Sequence, residues 1–559
     1  MAEKHLTRAD LLAEELTRKN LAALIAGGQA PARSWLENAP AAGPVSLTEA
    51  GPGPAVVVAG GRSQASRRDP VAEAGAWLAQ VRLNQPGLNQ TPAGLVLFGF
   101  GHPWAARLIL AEGHSLAVFE PDPLVVLAVF SGHDFSAALA DPAAGLTLLT
   151  PRRLADGPPD QPAALLIHPP AQRRAPAQLA NLTRWLARPA NRLRRPVGPD
   201  FRLLVVPPLS GGPEPVAEAL ARAAQKLNLQ VRYLDWGPEL KARERAVQGA
   251  ATAENNRALT CLLEETGRRA AQAAAALKPD LVVALAQAPL TVPALNRLRD
   301  LAPEAVLAFW LVEDFRLFSY ALATAPAYDA IFHIQAGLIE PALREAGLSR
   351  AHYLPPAADP QIFRPLPAAT IPAAYRADLS FMGAGYPNRV RLLGRLAADY
   401  WPRADRPPES FKIFGSGWPT TWAGRGHLFE DGRRMSSEEC ALIYAGGRVN
   451  LNLHSSLRSE ADFDETGFFV NPRTFEIAAA GGLQITDPRP LLPPLFTAGR
   501  ELAVAESPAD LPGLIDHYLN HPEEAAALGR AARDRVLAEH TYRHRLETML
   551  TRLGFQAGA

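Results

Sequence analysis

The sequence has few cysteines, no excess of either charge and no long hydrophobic run. Its 559 residues include two cysteines, Cys261 and Cys440, which are too few for a disulfide framework and suit a reducing compartment. The 57 Lys+Arg residues are balanced by 56 Asp+Glu residues, so the basic excess of a dedicated nucleic-acid-binding protein is missing. Every apolar run is cut by charge, glycine or proline before the roughly 20 residues that span a bilayer, and the N-terminal segment has no apolar signal core. These absences argue against secreted toxins, fibrous proteins and integral membrane proteins, and they predict a cytoplasmic protein.

Three consecutive series of apolar runs alternate with helical patterns along the chain. Near-continuous apolar strands separated by helices are typical of parallel sheets that are covered on both faces. We therefore predict an α/β fold in which two doubly wound Rossmann-like domains face a cleft and follow an additional α/β domain. The predicted domains are 1–198, an N-terminal helix plus the accessory domain; 199–370; and 371–559, closed by one helix from Pro522 to about Leu553.

The first series is predicted to supply the accessory domain with a parallel sheet. Glu37–Pro54, rich in Ala, Pro and Gly, is predicted to be a connector. The predicted strands that follow it are Ala55–Ala59, Leu95–Gly99, Leu116–Phe119, Leu146–Leu149 and Ala164–His168.

The segment Phe468–Thr486, FFVNPRTFEIAAAGGLQIT, carries the clearest chemical signal. Asn471, Arg473 and Thr474 lie at a predicted helix start, where free N–H groups and the helix dipole favour a diphosphate. Glu476 follows within the helix, where a carboxylate can accept two hydrogen bonds from a ribose diol. Gly481 and Gly482 then end the helix before the next strand. The alternative is an ordinary helix start with a solvated Glu and Arg.

This segment resembles the C-terminal domain of CgeB-like (spore-maturation type) glycosyltransferases of the GT-B fold. The resemblance is carried by NPRTFEIAAAGG at Asn471–Gly482, by DPR at 487–489 and by EHTY at 539–542, and it extends from about Phe201 to Leu553. It implies a nucleotide-diphosphate sugar as donor substrate and no tightly bound cofactor. The implied acceptor is a hydroxyl group on a glycan, a lipid-linked intermediate or a protein. No metal is required, and no Cys/His cluster has zinc spacing.

The resemblance also implies roles for individual residues. Glu476 would hold the ribose of the donor, whereas a second glutamate common in related enzymes is replaced by Phe468. Glu465, Asp464 or Asn471 are the candidates to substitute for it, and the retaining or inverting outcome stays open. The other candidate donor-binding residues follow strands of the second and third series: Gly211, Gly212, Gly383, Gly385, Asn388, Arg389 and His454.

Glu313 and Asp314 follow the predicted strand 305–311 at its carboxyl end. Two adjacent carboxylates at a strand mouth suit a general base that deprotonates an acceptor hydroxyl near neutral pH. Asp314 is the preferred catalytic base and Glu313 its companion. The alternative is a helix N-cap at Asp314 with no chemical task.

Two other functions remain open. The chain would be a non-catalytic nucleotide-sugar or glycan-binding subunit if the missing glutamate at Phe468 abolishes turnover. It would be an S-adenosylmethionine- or dinucleotide-dependent enzyme if the loop Gly99–Trp104 and Glu120 bind a nucleotide. That loop lacks the third glycine of the fingerprint, so an accessory role for the first domain is preferred.

Overall fold

The computed structural model describes most of the chain between residues 3 and 556. The residues in this range that it does not describe are 27–28, 30–31, 34–35, 38–44, 51–52, 60–61, 64–68, 85–94, 101–102, 113, 121–122, 141–144, 150–163, 175–178, 180–181, 183–195, 210, 241–251, 316–319, 336, 338, 346–349, 405, 457–460 and 464–467. The chain divides into two compact units, one of residues 1–193 with 343–350 and one of residues 194–342 with 351–559. The predicted domain boundaries stay a prediction.

The first unit begins with a small antiparallel sheet. Its strands, in spatial order, are β1 (Glu3–Leu6), β2 (Val45–Ala50), β3 (Gly53–Ala59) and β4 (Arg62–Ser63). The predicted connector was therefore wrong over β2, and Ala55–Ala59 was wrongly assigned to a parallel sheet. Two residues separate β2 from β3 in the sequence, and a parallel crossover needs about a dozen or more, so the two strands pair antiparallel.

A parallel four-stranded sheet forms the rest of this unit and confirms the other four predicted strands. The sheet contains β5 (Leu95–Phe98), β6 (Leu116–Phe119), β7 (Leu146–Leu148) and β8 (Ala164–Ile167) in the order β7-β6-β5-β8. The helices of the unit are α1 (Arg8–Ala13), α2 (Glu15–Ala26), α3 (Pro70–Asn84), α4 (Pro103–Ala111), α5 (Pro123–Gly132), α6 (Ser136–Ala140) and α7 (Pro169–Arg174). Residues 124–130 of α5 are all buried, which explains their unbroken apolar sequence.

The second unit contains two doubly wound parallel sheets, and the first has six strands. These are β9 (Arg202–Val206), β10 (Gln230–Tyr233), β11 (Leu281–Leu285), β12 (Val306–Leu311), β13 (Ala330–His333) and β14 (Ala351–Tyr353), in the order β10-β9-β11-β12-β13-β14. The helices are α8 (Glu214–Lys226), α9 (Thr252–Leu277), α10 (Val292–Leu301), α11 (Tyr320–Thr324) and α12 (Ile339–Glu345), of which residues 343–345 belong to the first unit. Every residue of β11 and β12 is buried, as expected for strands covered on both faces.

The second sheet repeats the same strand order with five strands. They are β15 (Ala377–Met382), β16 (Phe411–Phe414), β17 (Gly447–Asn452), β18 (Gln484–Thr486) and β19 (Ala503–Val504), in the order β16-β15-β17-β18-β19. The helices are α13 (Pro387–Arg395), α14 (Ser437–Gly446), α15 (Pro472–Ala479), α16 (Leu511–Asn520), α17 (Pro522–Glu539) and α18 (Tyr542–Arg552). The α/β class with doubly wound parallel sheets is thereby confirmed.

The predicted single helix from Pro522 to Leu553 is wrong, because it breaks between α17 and α18. The backbone of Ala358 pairs with the break: its N–H donates to His540 O at 3.1 Å, and its carbonyl accepts from Tyr542 N at 3.3 Å. Thr541 then caps α18 together with the side chain of His544. These bonds replace helical ones, so the chain turns without leaving backbone groups unsatisfied.

The carboxyl-terminal edges of the two sheets in the second unit touch each other. Arg434, in the loop after β16, donates from Nη2 to the carbonyl of Gly211, in the loop after β9, at 2.9 Å. Gln335, just after β13, forms an antiparallel bridge with Phe469, in the loop after β17. Ligands of doubly wound folds bind outside the carboxyl ends of the strands, so this contact places two such edges at one location.

Candidate active site

The first turn of α15 is tied to strand β17. Asn471 is the N-cap of the helix, and its Oδ1 accepts from Thr474 N at 3.1 Å. Asn452, the last residue of β17, donates to Thr474 Oγ1 at 2.8 Å and accepts from Asn471 Nδ2 at 2.9 Å. The side chains of Asn471 and Thr474 are buried. Their polar atoms therefore fix the helix start, and any contact with a donor would come from the backbone or from neighbouring side chains.

Two arginines crowd this edge of the sheet. Arg473 donates to the carbonyls of Met382 and Leu453, the latter at 3.1 Å, and Arg389 donates to Leu453 O at 3.0 Å and to Ala384 O at 3.1 Å. Burial, reinforced for Arg389 by the charge of Arg473, lowers the pKa of both guanidinium groups. The two groups concentrate positive charge next to the ends of β15 and β17, where a diphosphate would compensate it.

Gly383 and Gly385 let two loops come into backbone contact. A Cβ on Gly385 would lie 2.6 Å from Gly417 O, and a Cβ on Gly415 would lie 2.4 Å from Gly383 O. A Cβ on Gly383 would also meet Arg473 Nη1 at 2.7 Å. Close loop packing is thus sufficient to explain these glycines, and an approach to phosphate remains a prediction.

His454 is fully buried and has protein partners on both ring nitrogens. Its Nδ1 lies 2.8 Å from Asp487 Oδ1, and its Nε2 accepts from Asn471 N at 3.1 Å. Burial lowers the pKa of His454 to about 4, so the ring is neutral near pH 7. The ring holds the cap of α15 in place, and this geometry does not support the predicted contact with the donor. Asn388 is also buried and donates to His454 O at 2.9 Å, which is again a bracing contact.

Asp487 and Arg489 form a buried ion pair behind His454. Asp487 is 1% exposed, and its Oδ2 accepts from Arg489 Nη2. Burial opposes ionisation of Asp487, but the charge of Arg489 and the hydrogen bonds from the His454 ring and backbone hold its pKa well below the ordinary value. Asp487 and Arg489 of the DPR motif therefore hold the His454 ring, which in turn contacts the N-cap of α15.

Glu476 lies one turn beyond Arg473 on α15 and remains partly exposed. Tyr444 Oη donates to Glu476 Oε2 at 3.3 Å. Burial raises the pKa of Glu476 to about 7, although Arg473 and the Tyr444 hydroxyl oppose the shift. The carboxyl group is thus poised near neutral pH, and in its ionised form it can accept hydrogen bonds from a diol.

Gly481 and Gly482 end α15 and allow α17 to pack closely against it. Gly481 has a φ of +74°, which favours glycine. A Cβ on Gly529 of α17 would lie 2.2 Å from Gly481 O, and a Cβ on Gly482 would lie 2.9 Å from Tyr444 O. These glycines serve the helix end and its packing.

Glu313 and Asp314 follow β12 and have different surroundings. Glu313 is partly exposed, and Gln287 Nε2 lies 2.6 Å and 2.8 Å from its two carboxylate oxygens. Burial raises the pKa of Glu313, against the lowering effect of the bond from Gln287. Asp314 is 9% exposed and accepts from Gln335 Nε2 at 2.9 Å. The sequence analysis prefers Asp314 as the base, but Glu313 is the more accessible of the two carboxylates.

Gln287 is a residue that the sequence argument missed. It follows β11 with a φ of +63°, an uncommon value for a residue other than glycine. Gly211 lies next to it, because a Cβ there would be 3.8 Å from Gln287 Oε1. Gly212 is exposed beside Gly211. The sequence does carry a signal for Gln287, because it is a polar residue just after a buried apolar strand. The other candidate site residues were predicted at positions of the same kind.

In the first unit, Glu120 binds its own glycine loop. It is 2% exposed, and its Oε2 accepts from Phe100 N at 3.0 Å. A Cβ on Gly99 would lie 2.3 Å from the Cβ of Ala171. Gly101, His102 and the candidates Asp464 and Glu465 lie outside the described residues. The buried carboxylate of Glu120 favours the accessory interpretation of this unit.

Among the residues that the structure describes, no group of three or more His, Cys, Asp or Glu side chains is arranged to hold a metal ion. In the same residues, no helix is both long enough and apolar enough to cross a membrane.

A protein-family model matches the C-terminal part of the chain. Residues 371–551 match the family model described as glycosyl transferase-like. This glycosyltransferase-like segment contains the whole β15–β19 sheet, together with Arg389, Arg473 and Glu476. The match supports the predicted enzyme class, a glycosyltransferase. No curated protein sequence matches the chain.

Several solved structures are similar over most of their own length. Sucrose-phosphate synthase from Thermosynechococcus elongatus is 13% identical and has a TM-score of 0.42, with 63% of this chain and 99% of that chain covered. Anabaena HepE in complex with UDP and glucose is 12% identical, with the same coverage and TM-score. A glycosyltransferase from Rickettsia africae is 12% identical and has a TM-score of 0.42, with 64% of this chain and 99% of that chain covered.

Proposed function

We propose that this chain transfers a sugar from a nucleotide-diphosphate sugar to a hydroxyl acceptor. The observation that carries the proposal is Glu476, a partly exposed carboxyl group beside Arg473, within the segment that matches the glycosyltransferase family model. This group lies on α15, beside the sheet whose carboxyl edge meets that of a second sheet, which is the arrangement that a two-substrate transferase needs.

The donor would bind to the β15–β19 sheet. Ionised Glu476 would accept hydrogen bonds from the ribose hydroxyls. The diphosphate would lie toward Arg473 and Arg389, whose positive charge is concentrated at this edge, and near the Gly383 loop. Closure of the two sheets would exclude water and so limit hydrolysis of the donor.

The acceptor would bind to the β9–β14 sheet, with Glu313 and Asp314 as the carboxylates available to take its proton. The subtype that we propose is the CgeB-like one, with domains 1–198, 199–370 and 371–559, the first of them accessory. The cysteine-poor composition supports a cytoplasmic location.

Calorimetry with UDP, GDP and ADP, together with a release assay on the matching sugar nucleotides, tests the proposal. The full chain should bind at least one nucleotide, and Glu476→Ala should weaken that binding strongly. Unchanged affinity of Glu476→Ala for every nucleotide would refute the donor site. The replacement of the second glutamate by Phe468 motivates the other candidate, a binding subunit, which would bind nucleotide but release none from any donor.

A further inference from the structure

We propose that Gln287 is a positioning residue that holds Glu313 as the base for the acceptor hydroxyl. The inference rests on the proposed glycosyltransferase function and assigns the base to Glu313 in preference to Asp314. It is carried by the contacts among the loops after β9, β11 and β12, all of which lie on one edge of the sheet.

The side-chain amide of Gln287 lies within hydrogen-bonding distance of both carboxylate oxygens of Glu313. Its Nε2 lies 2.6 Å from Glu313 Oε1 and 2.8 Å from Oε2, so a single amide nitrogen donates between them. A donor shared by both oxygens fixes the rotation of the carboxylate and favours its ionised form. A carboxylate that is oriented and partly exposed is placed to accept a proton.

The backbone of Gln287 is held in a conformation that serves this contact. Ala288 N donates to Leu285 O at 2.9 Å and closes a tight turn around Gln287, which has a φ of +63°. A residue with a side chain in this region costs on the order of 1 kcal/mol or more, and such positions cluster at functional sites. β11 lies beside β9 at the point where the strand order reverses, which is where doubly wound sheets bind ligands.

Asp314 is instead built into its own loop. It is 9% exposed and accepts from Gln335 Nε2 at 2.9 Å, while Gln335 Oε1 accepts from Phe315 N at 2.7 Å. Gln335 also forms the bridge to Phe469 in the other sheet. These contacts suit a residue that supports the junction of the two sheets.

In the proposed step, the acceptor O–H bond breaks and its proton passes to the Glu313 carboxylate. The acceptor oxygen forms a bond to the anomeric carbon, and the bond from that carbon to the diphosphate oxygen breaks. The nucleoside diphosphate leaves with the electron pair, and Glu313 later returns the proton to water.

The experiment compares full-length variants on the sugar nucleotide that the wild type turns over. Gln287→Leu should lower kcat by about tenfold or more, because the carboxylate loses its orientation. Its donor KM should stay within about threefold, since the donor binds to the other sheet. Glu313→Gln should lose more activity than Gln287→Leu. Gln225→Leu, at an exposed glutamine of α8, is the matched control and should behave as the wild type.

The double variant Gln287→Glu with Glu313→Gln preserves the contact but exchanges its ends. It should fold with a wild-type unfolding temperature and still be inactive, because the carboxylate has moved away from the acceptor. Wild-type activity in this double variant, or kcat of Gln287→Leu within about twofold of the wild type, would overturn the inference. A wild-type protein that releases no nucleoside diphosphate would instead refute the proposed function.

Discussion

At the scale of single residues, the pKa of Glu476 is set by its partial burial, which raises it, and by Arg473, which lowers it. Its pKa of about 7 means that it is ionised above this pH and increasingly protonated below it. Because a carboxylate accepts two hydrogen bonds from a diol and a neutral carboxyl group accepts fewer, nucleotide affinity should be highest above pH 7. Below pH 7 it should fall by up to about tenfold per pH unit. Calorimetric titration between pH 5.5 and 8 tests this, and Glu476→Gln should show a weak and flat profile. A wild-type profile as flat as that of Glu476→Gln would contradict the role.

Loss of the buried carboxylate of Asp487 should cost more stability than loss of a surface carboxylate. Asp487→Asn leaves Arg489 buried without its ionised partner, so the free energy of unfolding should fall by about 3–5 kcal/mol. Asp378→Asn breaks the more exposed pair with Arg448 and should cost about 1 kcal/mol or less. Urea unfolding of the two variants measures the difference. Equal losses would show that the buried pair adds nothing beyond a surface one.

The sequence predicted which residues lie at the carboxyl edge of the β15–β19 sheet better than it predicted their contacts. Arg473 and Glu476 lie on one helix beside the sheet edge, as their spacing predicted. The carbonyls that Arg473 binds belong to Met382 and Leu453, which only the fold brings to it. Gln287 was missed for the same reason, because its importance depends on the neighbouring strand that carries Glu313.

At the scale of elements, the contact between α15 and α17 depends on a missing side chain. Gly529→Ala would place a Cβ 2.2 Å from Gly481 O, so α17 would have to move away from α15. Stability should fall by about 1–3 kcal/mol, and nucleotide affinity should fall with it, since α15 carries Glu476. Gly513→Ala in α16 is the control, because a Cβ there meets nothing within 4 Å. It should leave stability unchanged or raise it by up to about 1 kcal/mol. Thermal unfolding and calorimetry test both, and a neutral Gly529→Ala would contradict the packing argument.

The local sequence pattern predicted most helices and strands. It failed where hydrogen bonds to backbone far away in the sequence determine the structure. The apolar pattern continues through His540 and Thr541, so a single helix was expected there. The break depends on Ala358, some 180 residues away in the sequence, whose backbone pairs with both neighbours of Thr541. In β2 the Ala, Pro and Gly content suggested a connector, and pairing with β3 overrode it.

At the scale of the second unit, one exposed arginine joins the two sheets. Arg434 binds Gly211 O and lies 3.5 Å from Glu214. Because exposed pairs contribute about 0–1 kcal/mol, Arg434→Ala should leave the unfolding temperature nearly unchanged. It should lower kcat/KM, because the closed arrangement of the edges is weakened. Steady-state kinetics with Arg500→Ala as an exposed control tests this, and identical kinetics for both variants would remove Arg434 from the closing contact.

The fold of this unit was predictable because the sequence contains two series of apolar strands that alternate with helices in the same way. Their common order, with the second strand beside the first and the third on its other side, is typical of doubly wound parallel sheets. The contacts between the loops could not be predicted from this alternation. Nothing in the sequence around Arg434 or Gln335 distinguishes these residues from other loop residues.

The last helix of the unit returns to its first sheet, and this sets an order of events during synthesis. α18 packs on α8, Val197 N donates to Gln556 O at 2.9 Å, and the rings of Phe201 and Phe555 meet edge to face at 5.0 Å. The β9–β14 sheet therefore leaves the ribosome early but lacks part of its cover until residues 542–556 have emerged. The face of α8 that α18 later covers stays exposed during that interval, and exposed apolar surface on a partly synthesised chain favours aggregation.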